Sequence, residues 1–490
     1  MIDEMRQRVP SWFDGPLRLV AVVGIVVGLL FVFVTPPWSG GADEATHFAR
    51  SLSMADGRLM PHKIDGKLIS QIPESYRADE DLVIANFFGP ALINGTMMRS
   101  LLRSTPKWEN TFDYDTGATT AASPVAYLPS AIGMWVPNLL EAPGVVVLWF
   151  GRLANLFLYL LVIGFALRIA VAFRWTIALG AIIPMNLALA SAVSPDGLTI
   201  ASIALVVSVF TRVWAEAVNG DGEVVRSRDV NRATVVMVLG GGLLLAVSKP
   251  PYFLVLSLFG VLAVVARRNR TALAAGCAAL AAIAVGGLSV VVAASSNYGG
   301  VAESISDPIT VQPDVQKQRL FHDPIGFLRH CARDWFSRLN ETVQIWSRRL
   351  GIWTSDPPRF LPWLLIASFV VAAVLYDLEW FRRFGGWLRW SVAAGVVTLI
   401  VSIYASAFIW FDDTTWGKHM GDQIARYTVP LFALALIGWV PRWTFSPIEN
   451  VFAGRISRTV ASRTALAVAL ISLTTAVVAA VINWVSTGRM

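Results

Sequence analysis

The chain has 490 residues, 55% of them hydrophobic and 15% charged, with a mean hydropathy of +0.58. Soluble domains carry about 25% charged residues, so this composition excludes an ordinary water-soluble protein. The net charge of +7 resides in short basic clusters between apolar stretches, which is a topology signal rather than a nucleic-acid-binding surface.

The N-terminus carries Asp3, Glu4 and Asp14, and no small-residue cleavage site follows its apolar stretch. The first helix is therefore expected to be retained rather than removed as a signal peptide. Charge-poor runs close to the roughly 20 residues that cross a bilayer predict about eleven transmembrane helices in an all-α polytopic fold. They lie near 19–37, 145–167, 175–193, 198–216, 233–249, 251–266, 271–293, 360–376, 390–410, 427–441 and 464–484. With the N-terminus inside, the inner loops collect arginine clusters such as Arg6 and Arg8, Arg226 to Arg232, Arg267 to Arg270, and Arg455 to Arg463. The short outer turns hold only Lys249, Lys418 and Arg426. This asymmetry places the N-terminus in the cytoplasm.

Residues 124–142 are apolar but contain Pro124, Pro129 and Pro137, each costing a helix interior about 3 kcal/mol. They are read as a juxtamembrane segment on or dipping into the outer interface. The expectation is a single domain over 1–490, with large extracytoplasmic loops at 38–144 and 294–359 carrying short juxtamembrane helices. No separate soluble domain is expected. Cys277 in an apolar span and Cys331 in a polar loop speak against a structural disulfide.

That threading puts the conspicuous polar motifs on one face. They are Asp43-Glu44-Ala45-Thr46-His47-Phe48, Ser194-Pro195-Asp196-Gly197, Ser248-Lys249-Pro250-Pro251-Tyr252 and Gly421-Asp422-Gln423-Ile424-Ala425-Arg426-Tyr427. Adjacent acids in a poorly hydrated site raise the pKa of one of them, and a carboxylate so poised acts as a general base toward a hydroxyl. Asp43 and His47 share a helix face at i, i+4 spacing, so His47 either orients the acid, shares its proton or adds a metal ligand. A helix cap is the alternative for the two acids.

Arg426, beside Gln423 and Tyr427, offers a bidentate fork for a phosphate, and Lys249 supplies a second cation. Snorkelling to lipid headgroups is the alternative for both. Arg152, about 10 Å into its span at 1.5 Å per residue, faces the protein interior. It either contacts a phosphate or pairs with Asp196 or Asp43. Asp196 is equally readable as a turn residue or an N-cap. His62, His322, His330 and His419 lack metal-ligand spacing, and no phosphate-binding glycine loop is present. The fuel is therefore expected to be an activated, lipid-linked substrate.

The acidic pair after the first span, followed by His-Phe, resembles the motif of GT-C fold glycosyltransferases such as protein O-mannosyltransferases and aminoarabinose transferases. More closely, the chain resembles a bacterial family of uncharacterised multi-spanning proteins placed in that superfamily. The matching elements are Pro36-Pro37 with the acidic motif, Ser123-Pro124-Val125-Ala126-Tyr127-Leu128-Pro129 and Gly151-Arg152-Leu153-Ala154-Asn155. Ser194-Pro195-Asp196, Ser248-Lys249-Pro250-Pro251-Tyr252 and Gln423-Ile424-Ala425-Arg426-Tyr427 complete the set, over about residues 19 to 440.

The resemblance implies a membrane enzyme of the bacterial plasma membrane. It would transfer a sugar from a polyprenyl-phosphate donor to a hydroxyl of an extracytoplasmic glycan, glycolipid or protein. Asp43 would activate the acceptor with Glu44 and His47 in support. Lys249, Arg426, Arg152, Tyr427 and Gln423 would hold the donor phosphate, and Asp196 and Tyr252 would contact substrate. Any divalent cation (Mg or Mn) would fall to Asp43, Glu44 and His47. Acceptor recognition would rest on loop tryptophans Trp108, Trp335, Trp346 and Trp353, for which interfacial anchoring is an equal reading. The alternative function is a transporter or flippase for a lipid-linked saccharide, although no internal repeat is evident.

Overall fold

The computed structural model describes residues 15–39, 43–65, 67–88, 95–106, 108–117, 119, 122–219, 223–305, 313–350, 353–354, 358–411, 421–440 and 458–486. In chain order the first elements are α1 (Gly15–Val34), α2 (Glu44–Ala55), β1 (His62–Ile64), β2 (Lys67–Pro73), α3 (Glu74–Phe88), α4 (Gly95–Leu101) and β3 (Thr111–Asp115). A 3₁₀ turn (Pro124–Tyr127) leads to α5 (Leu128–Leu139), α6 (Gly144–Ile169), α7 (Arg174–Ala181), α8 (Pro184–Ala190), α9 (Asp196–Ala217) and α10 (Arg232–Ser248). A second 3₁₀ turn (Tyr252–Leu256) precedes α11 (Ser257–Val265) and α12 (Arg270–Ile305). There follow α13 (Pro313–His322), α14 (Pro324–Ser337), α15 (Leu339–Arg348), a two-stranded ladder (Arg349–Leu350 with Trp353–Thr354), α16 (Leu361–Tyr376), α17 (Leu378–Arg383) and α18 (Gly386–Phe411). The last are α19 (Gly421–Thr428), α20 (Phe432–Trp439) and α21 (Arg458–Ser486).

This is a helical, polytopic membrane protein. Six of the described helices are long and apolar enough to cross a bilayer: α1, α6, α9, the first 22 residues of α12, most of α18 and most of α21. The apolar stretches of α10, the Tyr252–Val265 segment, α16 and the Ala425–Trp439 segment are shorter. Exposure follows from that setting. Val22, Ile25, Val26 and Phe33 of α1 point outward, which lipid, being as apolar as they are, accommodates without cost. α9 is the central helix, with 83% of its most apolar stretch buried, packed between α6 and α10.

The expected span at 175–193 is not one helix. α7 ends at Ala181, and Ile183 takes an extended conformation (φ −53°, ψ 133°) before Pro184 opens α8. Proline disfavours the helical region at the preceding residue, and the result is two short helices that are buried almost throughout. The 124–142 segment forms α5, 12 residues and so about 18 Å long, too short to cross about 30 Å of hydrocarbon. Ile132, Trp135, Val136, Leu139 and Leu140 form its exposed edge while its other face packs on α2 and α6.

An all-α reading also missed a sheet. β1, β2 and β3 form a three-stranded antiparallel sheet in that order, with His62 opposite Ile69 and Ile72 opposite Phe112. Leu68, Ile69 and Ile72 of β2 are buried, and the sheet contacts α2, fixing the far side of the helix that carries Asp43 and His47.

Candidate functional site

The elements that carry the polar motifs converge. The start of α2, the α8–α9 turn, the end of α10 and the end of α19 meet, and a buried arginine sets their relative positions. Arg152 of α6 is fully buried, as is Glu44. Its Nε donates to Glu44 Oε1 at 2.8 Å and its Nη2 to Glu44 Oε2 at 2.6 Å. Nη1 donates to the carbonyls of Val32 (2.9 Å) and Thr35 (2.8 Å), and Nη2 also donates to that of Pro36 (2.9 Å). These bonds use all five N–H groups of a guanidinium. The backbone N–H of Val193 donates to Glu44 Oε1 at 2.9 Å, and Asn155 Nδ2 donates to the carbonyls of Ala192 (2.8 Å) and Ser194 (3.3 Å). The Gly-Arg-Leu-Ala-Asn motif thus ties the end of α1, the start of α2 and the turn before α9 into one unit. At that turn Gly197 lies against α8: a Cβ there would sit 2.9 Å from the Ala190 Cα.

This corrects two expectations. Arg152 has no donor left for a phosphate, and Glu44 points into the protein rather than assisting Asp43. The acidic neighbours diverge, and Glu44 is not among the charges that act on the Asp43 carboxyl. Glu44 is neutralised by Arg152, and Asp43 turns to the opposite side.

Asp43 occupies the N-cap position of α2, but its side chain makes no capping hydrogen bond. Its Oδ2 instead accepts from Arg426 Nη2 at 3.2 Å. The Asp43 carboxylate is half exposed and Arg426 is nearly buried (51% and 12%). Arg426 Nη2 also donates to the Tyr427 hydroxyl at 2.5 Å, while Arg426 Nε is buried with no partner. Lys249, at the C-cap of α10, donates to Asp196 Oδ1 at 2.6 Å. The Tyr427 ring lies between the two cations, with the Lys249 Nζ 4.5 Å and the Arg426 Cζ 4.7 Å from its centroid. Such contacts with the ring's negative face are attractive, so Tyr427 holds two like charges in one site. The Tyr252 hydroxyl donates to the Tyr427 carbonyl at 2.6 Å, so Tyr252 positions Tyr427. The Trp346 indole of α15 donates to the Ala425 carbonyl at 2.8 Å, and so helps to hold α19. Gln423 lies on α19, but its side chain falls outside the described residues, as do those of Trp353 and His419.

His47 Nδ1 is 2.9 Å from the Tyr127 hydroxyl, whose proton goes to the Thr119 carbonyl at 3.2 Å. A single O–H donates once, so both contacts are hydrogen bonds together only in the tautomer with the proton on Nδ1 and the lone pair on Nε2. Burial holds the His47 pKa at about 4, against the pull of Asp43 and Asp196, and the ring is neutral near pH 7. Burial also acts to raise the Asp43 pKa. The Arg426 guanidinium, then His47 and Lys249, outweigh it and leave the carboxyl below its ordinary value. Tyr127 was singled out only as part of a matching stretch; nothing in one sequence indicates that its hydroxyl meets His47 from 80 residues away.

Among the described residues no group of three His, Cys, Asp or Glu side chains could hold a metal ion. Glu44 is committed to Arg152, and Asp43 and Asp196 each already face a cation, so this donor set does not fit a divalent ion. The site is instead a charge-compensated cluster of two anions and two cations. A neutral histidine lies beside it, and the buried Nε–H of Arg426 remains without an acceptor.

No curated protein matches the chain. Residues 25–435 match the model of a family described as "Predicted membrane protein (DUF2142)", and the chain belongs to that family.

Proposed function

We propose that the protein is a membrane-embedded glycosyltransferase of the GT-C type, moving a sugar from a polyprenyl-phosphate donor to an acceptor hydroxyl. The observation that carries this reading is the pairing of a half-exposed carboxylate, Asp43, with a buried guanidinium whose Nε has no partner, Arg426, next to a second cation, Lys249. Unsatisfied buried donors are rare, and an oxyanion is the natural acceptor for this one.

In this mechanism the acceptor hydroxyl hydrogen-bonds to Asp43 and attacks the anomeric carbon. The bond from that carbon to the phosphate oxygen breaks, and the electron pair leaves on the polyprenyl phosphate. Arg426 and Lys249 receive that charge as it develops, which is where fixed positive groups lower a barrier most. The acceptor proton passes to Asp43 and from there to solvent. A carboxylate of low pKa is a weak base, so proton transfer comes late. It occurs once the oxocarbenium-like centre of glycosyl transfer has made the attacking oxygen acidic. His47, neutral with a free Nε2, accepts a hydrogen bond from the acceptor or relays its proton. Tyr252, Arg152 and Glu44 hold the frame.

The same reading puts the protein in a bacterial plasma membrane with its N-terminus in the cytoplasm and the site on the extracytoplasmic side. The test is incubation of the purified protein in lipid nanodiscs with a panel of polyprenyl-phosphate sugars and mass spectrometry of the lipids. Conversion of one donor to free polyprenyl phosphate is expected. Movement of a lipid-linked saccharide across the bilayer, with every donor left intact, would establish transport instead.

A further inference from the structure

A second buried arginine close to the site has none of the bonds that satisfy Arg152. Arg50 lies on α2 seven residues after Asp43, so Asp43, His47 and Arg50 fall along one face of the helix. The separation along the axis is about 10 Å at 1.5 Å per residue. Arg50 is only 2% exposed, and its Nε is buried without a hydrogen-bond partner. Among the described residues no carboxylate is paired with it. Its guanidinium lies over the ring of Tyr127, whose centroid is 5.4 Å from Cζ, and that ring's hydroxyl meets His47.

Leaving a charge buried and unpaired is costly. Burial accordingly lowers the Arg50 pKa, opposed only by Tyr127. The contrast with Arg152 matters, because the same molecule, burying a different guanidinium, satisfies all five of its N–H groups.

Resting on the transferase reading above, we propose that Arg50 is an anion seat for the acceptor: it binds a carboxylate or phosphate group carried by an acidic acceptor glycan, about 10 Å from the hydroxyl placed against Asp43. A planar fork with free donors suits such oxyanions. Arg426 is committed to Asp43 and Tyr427 and faces the donor, so the two arginines divide the two substrates' negative charges between them. Substrate specificity follows: neutral acceptors leave the Arg50 charge unpaired, and acidic ones pair it.

The test measures binding to the full chain in phosphatidylcholine nanodiscs. The probes are trigalacturonate with its neutral methyl ester, and a mannose phosphomonoester with mannose, with undecaprenyl phosphate as a separate probe of the donor site. At least one acidic probe is expected to bind the wild type about tenfold or more tighter than its neutral counterpart. That preference should vanish in Arg50→Gln and survive in part in Arg50→Lys. Undecaprenyl phosphate affinity should change by no more than about twofold in either variant, which also reports that the fold is intact.

Arg50→Met separates binding from a structural role: it should melt at or above the wild-type temperature, because an unpaired buried charge has been removed. Equal binding of acidic and neutral probes, or an acidic preference that persists in Arg50→Gln, would overturn the proposal. So would a lower melting temperature in Arg50→Met. Failure of undecaprenyl phosphate to bind any variant would count against the transferase reading alone, since the sugar probes still report on Arg50.

Discussion

Replacing Arg152 with methionine tests whether this residue is scaffold or phosphate ligand. The substitution keeps most of the side-chain volume but strands the Glu44 carboxylate, fully buried, with the Val193 N–H as a remaining partner. It also removes the charged donor from the carbonyls of Val32, Thr35 and Pro36. Deleting one member of a buried ion pair costs about 3–5 kcal/mol. The freed carbonyls belong to buried residues and add to this. A loss of about 4 kcal/mol is the working figure. Glu44→Gln should lie at the lower end of the same range, because it retains an oxygen for Arg152 or Val193 but brings an amide N–H against the guanidinium.

The double variant should lose less than the sum of the two, by about 1–3 kcal/mol, since contacting residues couple on that scale. The assay is equilibrium unfolding in detergent micelles followed by circular dichroism, with undecaprenyl phosphate binding measured on the folded fraction. Two results would refute the reasoning: Arg152→Met within about 1 kcal/mol of wild type, or intact stability with donor affinity reduced tenfold or more. The second would return Arg152 to the phosphate.

His47 makes stability pH-dependent. Its pKa is about 4 in the folded protein against 6.5 in the free side chain. Between those values the unfolded chain takes up a proton that the folded one refuses, so this contribution is complete above about 6.5 and is lost as the pH falls toward 4. The change is on the order of 3 kcal/mol. His47→Gln should flatten that limb in thermal melts between neutral pH and about 4, and parallel profiles would contradict the assignment. Gly197→Ala places a Cβ 2.9 Å from the Ala190 Cα. Backbone cannot move aside as a flexible side chain can, so a loss of about 1–3 kcal/mol is expected, together with weaker undecaprenyl phosphate binding as Asp196 shifts from Lys249. A wild-type melting temperature for this variant would show that α8 yields.

Composition and hydropathy made the helical membrane fold legible, because burial in lipid leaves few alternatives to helices. They failed where tertiary packing decides. The 175–193 stretch is apolar enough to span but is split at Pro184 and enclosed by neighbouring helices. The sheet joins β2 to a strand some 40 residues later, a pairing that no local period announces. At the site, the polar motifs that stand out in the sequence converge in space: Asp43, Lys249, Asp196, Arg426 and Tyr427 lie together. Pairing was not legible: Glu44 with Arg152 spans 108 positions and Asp43 with Arg426 spans 383, so adjacency of the two acids in the chain does not make them act together. A single arginine such as Arg50 carries no signal in the sequence; only its burial and lack of partners in the structure single it out.

The central claim is that Asp43 receives the acceptor proton while Arg426 and Lys249 hold the leaving phosphate. The most direct measurement is single-turnover sugar transfer by Asp43→Asn, using the donor that the wild type consumes. The substitution leaves Arg426, Tyr427 and Lys249 in place, so donor binding and melting temperature should be retained. Transfer is expected to fall by about a hundredfold or more, the usual worth of a positioned general base. Transfer at the wild-type rate by a folded, donor-binding Asp43→Asn protein would contradict that role.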